Sequence, residues 1–167
     1  LICEGLDTLA DVTLNGAPIG HADNMHITWE WDVKARLRPG DNELRIIFRS
    51  PINYCAEAAE RAPGWESSDA TPGFRHLRKA HCMFGWDWGP QLPDMGIFRP
   101  VSLDCYDGDK IESIHVLQNH KEGAVTLDIT VETRHQTAEE IFVTIDGKEI
   151  RLNGTSGSVT IENPRLW

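Results

Sequence analysis

Short segments in which apolar and polar residues alternate, each closed by turn-forming residues, punctuate most of this chain. Ala10-Asp11-Val12-Thr13-Leu14 alternates and runs into Asn15-Gly16, which predicts a strand followed by a tight hairpin turn. Residues 27–33 also alternate, which predicts a strand with Ile27, Trp29, Trp31 and Val33 on one face. Arg38-Pro39-Gly40-Asp41-Asn42 reads as a turn leading into a strand over 43–49, and 97–103 returns to the same texture. Strands at this spacing argue for an antiparallel sandwich or barrel and against an α/β fold.

Residues 51–96 break the pattern. The stretch opens with Pro51, carries a helix predicted over 54–61, and then becomes rich in proline, glycine and aromatic residues. A connection of this length with little regular structure is uncommon in a compact domain and is usually functional, so the function is expected here. Few buried contacts are expected to hold 53–83. Beyond Asp107-Gly108-Asp109 a second unit is predicted, with strands over 111–117, 125–131 and 141–145, a hairpin turn at Asp146-Gly147, and a further strand from Val159. The expected architecture is all-β, with one domain over 1–107 and another over 108–167. An immunoglobulin-like sandwich needs roughly 100 residues, so the second domain is expected to be incomplete.

Composition narrows the class. With 40% hydrophobic and 25% charged residues, the chain is neither a disordered tail, a collagenous repeat nor a coiled coil. No run approaches 18 apolar residues, so no membrane span is expected. The net charge of −10 has no basic stripe to offset it, which argues against nucleic acid as a partner. Cys3, Cys55, Cys82 and Cys105 are widely spaced and read as free buried thiols, which suits a reducing compartment. The chain starts without an initiator methionine or a basic leader, inside what reads as a strand, and is expected to be a piece of a longer polypeptide.

The most distinctive string is Phe84-Gly85-Trp86-Asp87-Trp88-Gly89-Pro90. A tryptophan offers a flat apolar face for the C–H face of a pyranose, and an aspartate offers two acceptors for a pair of hydroxyls. Sugar binding by Trp86 and Asp87 is one reading. A packed corner, with both tryptophans buried and Asp87 capping local N–H groups, is the other. Upstream, Arg75-His76-Leu77-Arg78-Lys79-Ala80-His81 is locally basic, so Lys79 and His81 are candidates for sugar contacts or site support, as is Trp88.

The paired histidines (21/26, 76/81, 115/120) are each five apart, a spacing that points to opposite faces of a strand, so no metal site and no cofactor is expected. No carboxylate pair stands out as catalytic, and Asn42-Glu43, between a Pro-Gly turn and a strand, reads as structural.

Several of these strings together resemble family-two glycoside hydrolases. They are Gly5-Leu6-Asp7-Thr8-Leu9-Ala10-Asp11-Val12-Thr13-Leu14-Asn15-Gly16, Asp23-Asn24-Met25 with Asp32-Val33, Arg38-Pro39-Gly40-Asp41-Asn42-Glu43-Leu44, the Trp-Asp-Trp-Gly string, Gly96-Ile97-Phe98-Arg99-Pro100-Val101 and the closing Asn163-Pro164-Arg165-Leu166-Trp167. The string Arg78-Lys79-Ala80 leading to Trp86-Asp87-Trp88-Gly89 is similar to the β-mannosidase branch.

The resemblance implies a jelly-roll (galactose-binding-like) β-sandwich, then a partial immunoglobulin-like sandwich. It further implies a (β/α)8 barrel outside this chain that holds both catalytic glutamates. It implies that Asp87 binds hydroxyls of a terminal β-mannoside with Trp86 beside it. Departures occur at His81, Cys82 and Met83, where glutamine and aromatic residues or histidine are more usual, and at Gln91, where arginine is common. Other exo-glycosidases of the family (β-galactosidase, β-glucuronidase, glucosaminidase) and a stand-alone carbohydrate-binding module are the alternatives. Cut sandwich edges are expected to drive self-association of the chain.

Overall fold

A computed structural model describes residues 1–136 and 140–165. Leu166 and Trp167, the end of the closing family-like string, lie outside the described residues. Among the described residues the protein is built from β-strands with one α-helix, and it divides into two compact units, Leu1–Asp104 and Cys105–Trp167.

In the first unit, β1 (Ile2–Cys3), β2 (Leu6–Asp7), β3 (Ala10–Leu14), β4 (Ala17–Ala22), β5 (Trp29–Glu30) and β6 (Leu44–Phe48) precede the helix α1 (Pro51–Arg61). The short strands β7 (Gly96–Ile97) and β8 (Val101–Ser102) follow it. The strands pair antiparallel in the orders β4-β3-β6, β5-β1-β8 and β2-β7, and none of these sheets closes.

β3 behaves as its alternation predicts. Ala10, Val12 and Leu14 are buried, and Asn15-Gly16 turns the chain with φ of 54° and 80°, the left-handed pair that a two-residue hairpin requires. Asn42 ties the neighbouring turn together: its Oδ1 accepts from the Arg38 N–H at 3.0 Å and from Asn15 Nδ2 at 2.8 Å. The structural reading of Asn42-Glu43 follows from this geometry.

The strand predicted over 27–33 shortens to Trp29–Glu30. An Asx bond closes each flank, from the His26 N–H to Asn24 Oδ1 and from the Lys34 N–H to Asp32 Oδ1, both 2.9 Å, and such local bonds compete with sheet pairing. Ile27 is accordingly exposed instead of sharing the face of the tryptophans. Trp29 and Trp31 still stack at 5.9 Å and pack on a core of Cys3, Leu6, Ala10, Val12 and Ala22. The run over 97–103 splits into β7 and β8, because Pro100 carries no N–H and the chain changes partner from β2 to β1 there.

The helix starts earlier than predicted. The Ser50 hydroxyl accepts from the Asn53 N–H at 3.2 Å and Pro51 occupies the first turn, a cap and a proline that start the helix ahead of the predicted Tyr54. Pro51, Cys55 and Ala58 form its buried stripe. Cys55 joins Leu9, Phe74, Leu77 and Phe84 in a second core, with Tyr54 and Ala70 packed against it. The expectation that few buried contacts hold 53–83 is therefore corrected: this segment carries its own apolar cluster.

In the second unit, β9 (Ile111–Lys121), β10 (Ala124–Thr133), β11 (Phe142–Ile145), β12 (Lys148–Arg151) and β13 (Ser156–Glu162) form a three-stranded sheet, β13-β10-β9, and the hairpin β11-β12. Asp146-Gly147 makes the β11-β12 turn with φ of 49° and 75°. Ile129, Val131, Ile141 and Leu152 form the core, while no residue of β9 is buried.

The thiols split into two classes. Cys3 and Cys55 are buried, but Cys82 and Cys105 are exposed, which corrects the expectation that all four are buried. Burial pushes the Cys55 thiol up to about 11 and raises that of Cys3. Since the thiolate is the nucleophile, a disulfide reagent at neutral pH should label Cys82 and Cys105 at least about a hundredfold faster than Cys3 and Cys55. Peptide mapping after timed labelling checks this, and denaturant should abolish the difference.

Candidate functional site

The Trp-Asp-Trp turn is held from below by the second core. Phe84 is fully buried, and its carbonyl accepts from the Thr71 N–H at 2.9 Å and the Thr71 hydroxyl at 3.3 Å. Gly85 follows with φ of 127°, and a Cβ there would lie 2.3 Å from the Asp69 carbonyl oxygen, so only glycine lets the chain leave the core at this point. Gln91 Nε2 donates to the same carbonyl at 3.4 Å.

From Gly85 the chain rises into a tight turn closed by the Gly89 N–H on the Trp86 carbonyl at 3.0 Å, with Asp87 and Trp88 at its tip. Trp86 is 56% exposed and Trp88 83% exposed, their rings edge to face at 6.4 Å. Asp87 is exposed, and among the described residues no side chain or backbone group pairs with its carboxylate. The packed-corner reading is overturned here, because neither tryptophan is buried and Asp87 caps nothing. The turn instead presents two indoles and two free acceptors to its surroundings.

Lys79 and His81 are placed differently. Lys79 is 1% exposed, its ammonium paired with the Asp7 carboxylate and 3.6 Å from Asp94 Oδ1. Asp7 also accepts from the Thr8 hydroxyl through its other oxygen. Lys79 thus lies beneath the loop and not on its exposed surface. His81 is exposed, with its ring edge to face against Phe74 at 4.9 Å. Together with His26, Leu77 and Arg78, it lines a cleft of about 540 Å³.

Arg75, at the rim of this cleft, is already engaged. It donates to the Trp65 carbonyl at 2.7 Å, to the Ala62 carbonyl at 2.9 Å, and to Glu66. The Gly73 N–H and then Arg75 hold the Glu66 carboxyl below the usual carboxylate range, so this pair serves the loop framework.

The structure brings Trp86, Asp87 and Trp88 together and separates Lys79 from them. It also reveals Asp7 as the partner of Lys79, a residue 72 positions further along the chain, so that no local signal marks the pair.

A sandwich carrying this loop defines a class. The model described as "Glycosyl hydrolase 2 galactose-binding domain-like" matches residues 1–99, and the chain belongs to the glycosyl hydrolase 2 family, as its motifs implied. Similar proteins within that family include β-mannosidases. The chain is 36% identical to a β-mannosidase of Bos taurus over 64% of its length, covering 13% of that protein. It is 33% identical to β-mannosidase B of Aspergillus fumigatus over its full length, covering 22% of that protein. The crystal structure of a β-D-mannosidase from Dictyoglomus thermophilum superposes on 99% of the chain with a TM-score of 0.83 at 29% identity, again over 22% of the larger chain. The chain thus spans about a fifth or less of the length of these relatives.

Proposed function

We propose that this chain is the sugar-recognising part of a retaining exo-β-mannosidase. Asp87 and Trp86 contact the terminal sugar, with Trp88 extending the apolar platform. Residues 108–167 begin an immunoglobulin-like domain. The observation that carries the reading is the exposed Trp86-Asp87-Trp88 turn, whose carboxylate has no partner among the described residues. An indole face and an unpaired carboxylate match the two halves of a pyranose, one apolar and one hydroxylated.

The chemistry belongs to carboxylates outside these residues. Retention needs a nucleophile and an acid/base about 5–5.5 Å apart on a rigid scaffold, which in this reading is a barrel. Asp87 contributes by orientation: a hydroxyl held by a charged acceptor fixes the ring against the reacting groups.

The test is substrate preference. The full-length protein should hydrolyse an aryl β-mannoside at least about tenfold faster than the β-glucoside or β-galactoside, a difference of about 1.4 kcal/mol in transition-state binding. The first sugar released should be the β-anomer by NMR. The 167-residue chain alone should leave the aryl β-mannoside intact. Preference for another sugar, or hydrolysis by this chain alone, would overturn the reading.

A further inference from the structure

Both ends of the loop that carries Trp86-Asp87-Trp88 meet at one residue of β2. At its start, Lys79 is buried with its ammonium on the Asp7 carboxylate. At its end, Gly96 opens β7 and is the backbone pairing partner of the same Asp7, with Ile97 opposite Leu6. Asp94, two residues before that strand, brings its Oδ1 to 3.6 Å from the Lys79 ammonium. The Thr8 hydroxyl fixes the other Asp7 oxygen, which orients the carboxylate toward Lys79.

We infer that the Asp7–Lys79 pair is a clasp that sets the position of the sugar-contacting turn, making Lys79 and Asp7 positioning residues for sugar recognition. This role rests on the assignment of Trp86 and Asp87 as sugar contacts.

The physical case is one of geometry. Residues 80–95 form a loop anchored in its middle by Phe84 in the second core and by Gln91 on the Asp69 carbonyl, and the Asp7–Lys79 pair joins its first foot to the strand that carries its second through the β2-β7 pairing. A buried ion pair tolerates little displacement, because any separation leaves a charge without its partner in an apolar setting. That steepness makes the pair a hinge stop. It touches no sugar, since the Lys79 side chain has no exposed surface. Its effect reaches the substrate only through where it holds Asp87 and Trp86. A misplacement of about 1 Å in a positioning element costs up to about a hundredfold in rate, so even a small slip of the loop is measurable.

Removing Lys79 alone leaves Asp7 as a lone buried charge, so the decisive variant is Asp7→Asn/Lys79→Met. It is neutral on both sides and keeps the Thr8 hydrogen bond. In the full-length protein, amide hydrogen exchange over 80–95 should quicken by at least about tenfold, while β3, β4 and β6 stay within about twofold of the parent. The same variant should lower kcat/KM on an aryl β-mannoside by at least about tenfold, with part of the loss in kcat.

That loss should shrink to under about threefold when the variant is built on Asp87→Ala, since the two sites act through one contact. Unchanged exchange over 80–95, exchange rising equally in every strand, or fully additive losses with Asp87→Ala would each overturn the clasp. If Asp87→Ala itself leaves kcat/KM intact, the sugar reading fails and with it the clasp's role in recognition. The exchange readout still reports separately whether the pair restrains the loop.

Discussion

Replacing Asp87 by alanine in the full-length protein is expected to lower kcat/KM on an aryl β-mannoside by at least about tenfold without changing the melting temperature. The two halves of this expectation have separate causes. Asp87 makes no bond within the described chain and sits exposed at the tip of a turn, so its removal breaks nothing in the fold. Toward a sugar, a hydrogen bond to a charged acceptor is worth about 1.5–3 kcal/mol, and each 1.36 kcal/mol is a factor of about ten. If the bond tightens as the ring distorts toward the transition state, the loss falls on kcat as well as on KM. Trp86→Ala should weaken binding too, through the lost indole face. Steady-state kinetics with a thermal melt on the same preparations decide the matter. A folded Asp87→Ala protein with parental kcat/KM would remove the sugar-contact role.

Phe84→Ala is expected to do the opposite: to unfold the loop's foundation while leaving the contact residues chemically intact. Phe84 is fully buried in the second core, 6.2 Å from the Phe74 ring and beside Leu9, Cys55 and Leu77. Truncating a phenylalanine in such a setting costs about 3–5 kcal/mol, from lost transfer energy and the cavity left behind. Against a total stability of about 5–15 kcal/mol this is a large share. The first unit should melt at least about 10 °C lower, by calorimetry or circular dichroism. Phe84→Leu should recover most of the loss, because it refills most of the volume. A change under about 1 kcal/mol for the alanine variant would show that the core tolerates collapse at this site.

What the sequence discloses and what it conceals follow from how local each interaction is. The alternation over residues 10–14 and the Asn15-Gly16 turn are legible because strand, face and turn chemistry sit in one window. The 27–33 strand is over-read because alternation says nothing of the Asx bonds at Asn24 and Asp32 that stop pairing on both sides. The helix start is under-read although Ser50 and Pro51 spell it out, because Pro51 also looks like a loop opening.

At the site, the residue types of Trp86-Asp87-Trp88 already point to sugar chemistry. The choice between contact and packing needs structure, since it turns on the exit path at Gly85 past the Asp69 carbonyl. The role of Asp7 is invisible in the sequence. A short strand with one aspartate gives no hint of a lysine 72 residues away.

Because the two feet of residues 80–95 stand together on β2 and Phe84 and Gln91 anchor the flanks, the exposed turn between them is a cassette set apart from the core. Loop-closure entropy grows only with the logarithm of length, by about 0.6 kcal/mol for each doubling. Insertions or exchanges within the Trp86–Gly89 turn therefore cost the sandwich little. The sequence of this turn can diversify under weak stability constraint, provided that Lys79, Phe84 and Gly96 stay in place. The same property makes residues 80–95 a unit for grafting between relatives.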